Sequence, residues 1–408
     1  MKIAIVNMTH KGSTGKIMLN IAETARKSGY IARTYSPMLF NRIKKQSPLV
    51  AENHFTWGTL FEGAFHYYGG TLLGLNGFFS YRGTKKLIEE LKTFQPDIVH
   101  LNNLHNFTIN LPLLFKYLKK SKVKVIWTLH DCWSFTGHCP HFTVAKCDKW
   151  KSGCHNCSQL KLYPKSMIDT SQIMYQLKKK WFTAIDNMTI VTPSQWLADL
   201  VKQSYLRKYP VVVINNGIDL NVFKPVRSDF RVKNKISEGK KVLLGVSMGW
   251  SHSKGIDVFV ELAKRLNKEQ YQIVLVGTDE RIAKLLPKNI IAINQTDSQQ
   301  ELAEIYSSAD LFINPTREET YPTVNMESLS CGTPVITFKT GGSPEIIDKT
   351  CGSIVEYDDI DAMEKEIIRI CEGRSYSAAN CLIRAQSFDM NDRFKEYVKL
   401  YEDFTYST

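Results

Sequence analysis

The sequence predicts an α/β protein: two doubly wound, parallel-sheet, Rossmann-like domains facing a cleft. Three observations carry this expectation. The chain has 408 residues, enough for two domains with sizeable cores. Short apolar runs alternate with amphipathic helical stretches, the pattern of parallel strands joined by helical crossovers. The alternation runs twice, on either side of linker-like sequence at Asn215-Asn216-Gly217-Ile218-Asp219 and Phe223-Lys224-Pro225.

In the first half, Ile3 to Val6 reads as a strand leading into Lys11-Gly12-Ser13-Thr14-Gly15-Lys16. A helix follows, with Ile17, Ile21, Ala22 and Ala25 on one face. A glycine turn between strand and helix lets a ligand approach the backbone closely. It is not a Walker loop: His10 stands where the first glycine belongs, and Ile17 where Ser or Thr is needed. A plain tight turn is the competing reading. Asp97 to His100, Val123 to Leu129 and Ile190 to Thr192 read as further strands, with a helix over Leu111 to Leu118. Asn102, Asn103, His105 and Asn106 follow one strand end and His130-Asp131 another, so both clusters fall on the ligand-binding edge. His54 to Arg82 is dense in aromatics and reads as an irregular, partly apolar flap.

In the second half, Val242 to Ser247, Ile273 to Val276, Ile290 to Ile293 and Leu311-Phe312-Ile313 read as strands. Ile256 to Leu266 reads as a helix whose Val258, Phe259, Leu262 and Leu266 share one side. The stretch from Thr316 to Glu327 is the most informative. A helix-like run, roughly Thr323 to Ser330, is ended by Gly332 and kept from continuing by Pro334. Its first N–H groups, on Thr323 and Val324, would be unpaired and would favour an anion such as a pyrophosphate. Glu319 and Glu327 flank that point, eight positions apart. A carboxylate beside a phosphate is repelled and needs a task there; a capped surface helix with two solvated glutamates is the alternative. Ser387 to Thr408 has the pattern of an amphipathic helix.

Net charge is +13, from 53 basic and 40 acidic residues, which points to an anionic partner. Nine cysteines, an odd number with no secretory signal in Met1 to Val6, point to a reducing cytoplasm. Thr59 to Ser80 has little charge but is broken by Glu62 and five glycines, against a spanning helix. Five cysteines fall between Cys132 and Cys157, and Cys139, Cys147, Cys154 and Cys157 have spacings that suit a closed structural zinc site. Free thiols are the other reading.

The Glu-x7-Glu pair, followed by Cys331-Gly332-Thr333-Pro334-Val335 and Thr340-Gly341-Gly342-Ser343-Pro344-Glu345, resembles the signature of retaining glycosyltransferases of the GT-B fold, in the large family four. The resemblance implies a sugar-nucleotide donor (UDP- or GDP-linked) and a glycan or polyprenyl-diphosphate-linked acceptor, in bacterial capsule or exopolysaccharide synthesis. Carried over by position, Glu319 and His130 lie against the donor sugar as catalytic residues, and Glu327 binds the ribose. Lys254, Thr323 and Val324 hold the diphosphate, and Gly15 faces it from the other domain. The implied division is 1–222 plus a C-terminal helix 386–408 on the acceptor side, and 223–385 on the nucleotide-sugar side. Two departures stand out: Tyr321-Pro322-Thr323 replaces the usual Phe-Gly, and Trp250 stands near the place of an expected arginine. No cofactor is expected for catalysis. Aromatics in 54–82 and the basic runs Lys119-Lys120 and Lys178-Lys179-Lys180 suit the inner membrane face, with the enzyme otherwise cytoplasmic; core aromatics and solvated lysines are the plain reading. Two alternatives remain: a zinc-stapled nucleic-acid-binding protein, although the aromatics are not interleaved as base stacking wants, and a GT-B protein that binds sugar nucleotide without transfer.

Overall fold

The computed structural model describes residues 1–38, 53–105, 107–373 and 375–406. Asn106, one of the polar residues placed on the binding edge, lies outside them. The chain divides into two compact units, Met1–Asn215 with Phe394–Thr408, and Asn216–Arg393.

The first unit holds seven parallel strands: β1 (Lys2–Val6), β2 (Ile31–Pro37), β3 (His54–Trp57), β4 (Ile98–Leu101), β5 (Lys124–Thr128), β6 (Met188–Thr192) and β7 (Val211–Val213), in the order β3-β2-β1-β4-β5-β6-β7. The second holds β8 (Lys241–Val246), β9 (Tyr271–Val276), β10 (Ile290–Ile293), β11 (Leu311–Asn314), β12 (Val335–Phe338) and β13 (Gly352–Val355), in the order β10-β9-β8-β11-β12-β13. Every pairing within both sheets is parallel. Helices cover both faces, so β4, β6, β11 and β12 are buried at every position. Burial on two faces is why these strands read as unbroken apolar runs. The expected α/β architecture of two Rossmann-like sheets is therefore present.

In each sheet the strand order reverses once, between β1 and β4 and between β8 and β11. Open α/β sheets bind ligands in the crevice at that reversal, beyond the carboxyl ends of the strands. From Phe394 onward the last helix, Met390–Tyr406, belongs to the first unit: the Tyr401 hydroxyl lies 2.7 Å from His100 Nδ1, and Tyr30 donates to Glu402 at 2.6 Å.

Two expectations are corrected. Residues 54–82 are not an irregular flap. They form β3, a helix over Leu60–Leu73 and the start of another at Tyr81. Thr59 caps the first of these helices by accepting from Glu62 N–H, and Gly74 ends it at φ 69°. That helix is apolar nearly all round, so it lacks the one-sided periodicity that marks a surface helix. The basic run at 178–180 is not wholly a solvated surface either. Lys178 is fully buried, its ammonium donating to the Trp133 carbonyl and lying 3.6 Å from the centre of the Trp133 ring. Among the described residues no helix is long and apolar enough to cross a membrane.

Candidate active site

In the second unit the site residues follow the two strands at the order reversal. After β8 the chain turns through His252–Lys254 and Gly255; after β11 it runs from Pro315 to Pro322 and enters the helix Thr323–Ser330. Two glycines press on this second loop. A Cβ on Gly255 (φ +75°) would lie 2.3 Å from the Pro315 carbonyl oxygen, and one on Gly341 (φ +56°) 1.7 Å from that of Glu319. Only glycine tolerates such approaches with a left-handed backbone.

Arg317 fixes the loop from within. It is 3% exposed and forms a two-pronged pair with Asp257, 2.8 Å on each prong. It also reaches Asp358 through Nε at 2.8 Å and the His252 carbonyl at 2.6 Å. Burial tends to raise the Asp257 carboxyl, but the guanidinium overrides this and holds it below its usual range. Nothing in the spacing of the sequence marked Arg317.

On that anchored loop Glu319 Oε2 stands 2.8 Å from Lys254 Nζ, so two of the predicted residues meet directly. Glu319 Oε1 also accepts from Thr320 N–H at 3.1 Å. Glu327, one turn into the helix, accepts from the Tyr306 hydroxyl at 3.2 Å. Burial, then the Glu327 charge, push the Tyr306 phenol well above its ordinary value, so it stays protonated and donates. Thr323 and Val324 are the first residues of the helix. Pro322 precedes them in extended conformation and its own side chain offers no cap. Asn325 Nδ2, Thr340 Oγ1 and Ser343 Oγ, close in sequence to the two glutamates, are buried without a hydrogen-bond partner among the described residues. Buried polar atoms of this kind call for an explanation.

In the first unit Gly15 lies in the first turn of the helix Gly12–Lys27, where a Cβ would come within 2.4 Å of the His10 backbone. Close packing by itself accounts for that glycine. Asn7, buried at the end of β1, links this turn to the end of β4: it donates to the Thr9 carbonyl at 2.8 Å and accepts from Asn103 N–H at 3.2 Å. His130 follows β5 and is half-buried, with Nε2 3.0 Å from Asn102 Oδ1. Burial lowers its pKa to about 4, so near neutrality it is an uncharged donor. Beside it Asp131 accepts from His105 Nε2 at 2.8 Å, and the Tyr163 hydroxyl lies 2.8 Å from His105 Nδ1. Burial tends to raise the Asp131 carboxyl, but His105 outweighs it and brings it to about 2. The sequence placed His105 and Asp131 on this edge; it did not pair them or bring in Tyr163. A hollow of about 880 Å³ at the amino ends of β4 and β5, lined by Lys92, Asp97, Lys116, Lys120 and Lys124 among others, contains none of the predicted site residues.

Cys139, Cys147, Cys154 and Cys157 all line one cavity of about 30 Å³ in the first unit, and all nine cysteines are free thiols. Among the described residues, no group of three or more His, Cys, Asp or Glu already stands in metal-holding geometry.

Two parallel Rossmann-like sheets of seven and six strands are the architecture of GT-B glycosyltransferase structures, and the family models that match both units make the chain a glycosyltransferase. Residues 226–388 match the family described as Glycosyl transferases group 1, and residues 61–222 match Glycosyltransferase Family 4. It is 24% identical over 323 residues to the colanic acid biosynthesis glycosyl transferase WcaC of Escherichia coli K12, covering 76% of this chain and 78% of that one. Sucrose-phosphate synthase from Thermosynechococcus elongatus superposes with a TM-score of 0.73 at 18% identity, over 100% of both chains. Anabaena HepE, solved in complex with UDP, superposes at 0.68 with 15% identity, over 99% of this chain and 100% of that one. At such identities the structural likenesses speak for the fold alone.

Proposed function

We propose that this enzyme is a retaining, hexosyl-type glycosyltransferase. It moves a sugar from a nucleoside diphosphate, UDP in first place and GDP in second, to a hydroxyl of a lipid-linked or polysaccharide intermediate in capsule or exopolysaccharide assembly. The observation that carries the reading is the Lys254–Glu319 pair at the β8/β11 reversal, next to a helix start to which Pro322 offers no side-chain cap. A diphosphate leaving group needs positive potential that is in place before the bond breaks. Lys254 and the N–H groups of Thr323 and Val324 supply it without a metal ion. Glu319 holds Lys254 until donor arrives, then turns to the sugar it faces. Glu327 accepts from the ribose hydroxyls, steadied by Tyr306. His130, uncharged near neutrality, is the first unit's candidate for a contact with the donor sugar, and Gly15 its candidate for the phosphates. The second unit binds the nucleotide sugar, while the first unit, with the last helix from Phe394 onward, carries the acceptor side.

The likeness to WcaC, named for colanic acid biosynthesis, supports an exopolysaccharide acceptor, and the UDP complex of HepE supports the donor base. A lipid-linked acceptor draws support from the first unit's surface: Phe61, Phe65, Tyr68 and Leu72 on the helix Leu60–Leu73 are all exposed, Phe61 at 82%. Exposed aromatics of this kind suit docking at an inner-membrane surface. A thermal-shift screen of nucleotides and sugar nucleotides tests the donor, because ligand bound only by the folded state raises Tm. Product NMR from the best donor then tests retention, which requires the anomeric configuration of the donor to reappear in the product. An inverted product would reject the retaining assignment.

A further inference from the structure

We propose that Cys139, Cys147, Cys154 and Cys157 bind one zinc ion, which staples the long segment between β5 and the helix Ser171–Phe182. The segment, residues 129–170, contains only two short 3₁₀ turns, Trp133–Phe135 and Lys149–Lys151. So long a stretch without regular structure needs a cross-link or a function to order it.

The four cysteines come from separate turns yet line the same small cavity, whose volume of about 30 Å³ suits a single ion and not an organic ligand. The Cys139 and Cys157 thiols hydrogen-bond to each other, and Cys154 lies within electrostatic reach of both Cys147 and Cys157. The backbone is shaped around them. Lys146 (φ 46°) and Asn156 (φ 44°), the residues just before Cys147 and Cys157, are both left-handed, a conformation that costs energy outside glycine. Gly137 N–H donates to Cys154 Sγ at 3.1 Å, the kind of contact that steadies a metal-bound thiolate. Lys149 ties the 154–157 turn by donating to the carbonyls of His155 and Asn156, each at 3.1 Å.

A further observation points to a ligand. His138, which also lines the cavity, has Nε2 buried with no hydrogen-bond partner among the described residues, while its ring is held by the Gln159 backbone. The charges also match. A zinc ion with four thiolates carries net charge −2, which is costly to bury unless a cation lies near. The fully buried Lys178 side chain lies within electrostatic reach of Cys154 and Cys139 and is placed to supply that cation once thiolates form there. The four sulfurs do not yet converge on one point. An arriving cation displaces the thiol protons and draws the sulfurs together by side-chain rotation. All four positions are filled by protein, so the ion is structural and takes no part in transfer.

The test uses untagged full-length protein expressed in zinc-supplemented medium and washed by gel filtration. Elemental analysis is expected to give about one zinc per chain, and an organomercurial titration to release it as about four thiols are captured. Protein grown with cobalt(II) instead should show the intense thiolate-to-cobalt charge-transfer bands of a tetrahedral sulfur site. Cys154→Ser should lose the metal, while Cys371→Ala, a buried cysteine outside the segment, should keep it. If Cys154→Ser does not fold, the stoichiometry and cobalt spectrum of the wild type still decide. Wild-type protein without stoichiometric zinc, its four thiols all open to a thiol reagent or two of them joined as a disulfide, overturns the proposal.

Discussion

Lys254 Nζ and Glu319 Oε2 stand 2.8 Å apart, joining the turn after β8 to the loop after β11 across the point where the strand order reverses. Both side chains are partly exposed, so the pair adds little to stability. Its value lies in holding a positive charge ready. Lys254→Met is expected to lower kcat on the order of a hundredfold, the cost of removing one preset stabiliser of a leaving group. The urea midpoint of the variant should stay near wild type. A variant with a normal kcat would separate Lys254 from the chemistry.

Glu319 and Glu327 are expected to fail in different ways. Glu319→Ala should depress kcat by about a hundredfold with nucleotide affinity little changed. Glu327→Ala, losing charge-assisted hydrogen bonds, should weaken nucleotide binding about tenfold or more. Calorimetry with the free nucleoside diphosphate, run beside steady-state kinetics, separates the two. Equal donor affinity and equal turnover in both variants would sink the role assignment.

Arg317→Met tests the anchor beneath the loop. Asp257 and Asp358 are both partly exposed, so solvent makes up some of what is lost, and the expected destabilisation is about 2 kcal/mol by chemical denaturation. Activity should fall much further than stability, since Glu319 then sits on an unfixed backbone. Arg317→Lys keeps the charge but not the fork and should rescue only part of the loss.

Gly341→Ala puts a methyl group where the Glu319 carbonyl oxygen already lies. Thr340 and Ser343 beside it are buried, so the loop has nowhere to retreat. The expected result is a folded protein, judged by circular dichroism, with kcat/KM reduced on the order of a hundredfold or more. Unchanged kinetics would show that the loop can shift without consequence.

Stability should also depend on pH. His66 is buried; its Nε2 accepts from Gly77 N–H at 3.1 Å and its Nδ1 lies 2.8 Å from the Ser80 hydroxyl. Burial lowers its pKa from 6.5 to about 3. With the folded value below the unfolded one, the unfolded chain takes up more protons as the solution is acidified. The stabilising contribution is therefore complete above about pH 6.5 and is lost as pH falls toward 3. Urea midpoints between pH 7 and pH 4 should decline, and His66→Gln should flatten part of that slope. His100, lowered to about 3 by burial and then by His130, adds to the same trend.

Much of this was legible in the residues themselves. The runs Ile3 to Val6 and Leu311 to Ile313 are apolar because both sheet faces are covered, and Gly332 with Pro334 announced the end of the helix Thr323–Ser330. Other features depend on partners distant in sequence. Arg317 looks like any loop arginine until Asp257 and Asp358 close on it, and Gly341 looks like any turn glycine until the Glu319 carbonyl is seen against it. The helix Leu60–Leu73 was missed because it is apolar on nearly every face, which leaves no one-sided period to read. Lys178 was assigned to the surface because composition alone does not show which lysine of three turns inward.

The two glycines that crowd the Pro315–Pro322 loop also limit how this enzyme can diversify. With its main chain gripped at Pro315 and again at Glu319, the segment, holding the donor as proposed above, cannot be rerouted to admit a bulkier sugar. A change of donor would have to be made by trimming or swapping the side chains around a fixed mould. A library aimed at new sugars should therefore leave Gly255 and Gly341 untouched and vary what surrounds them.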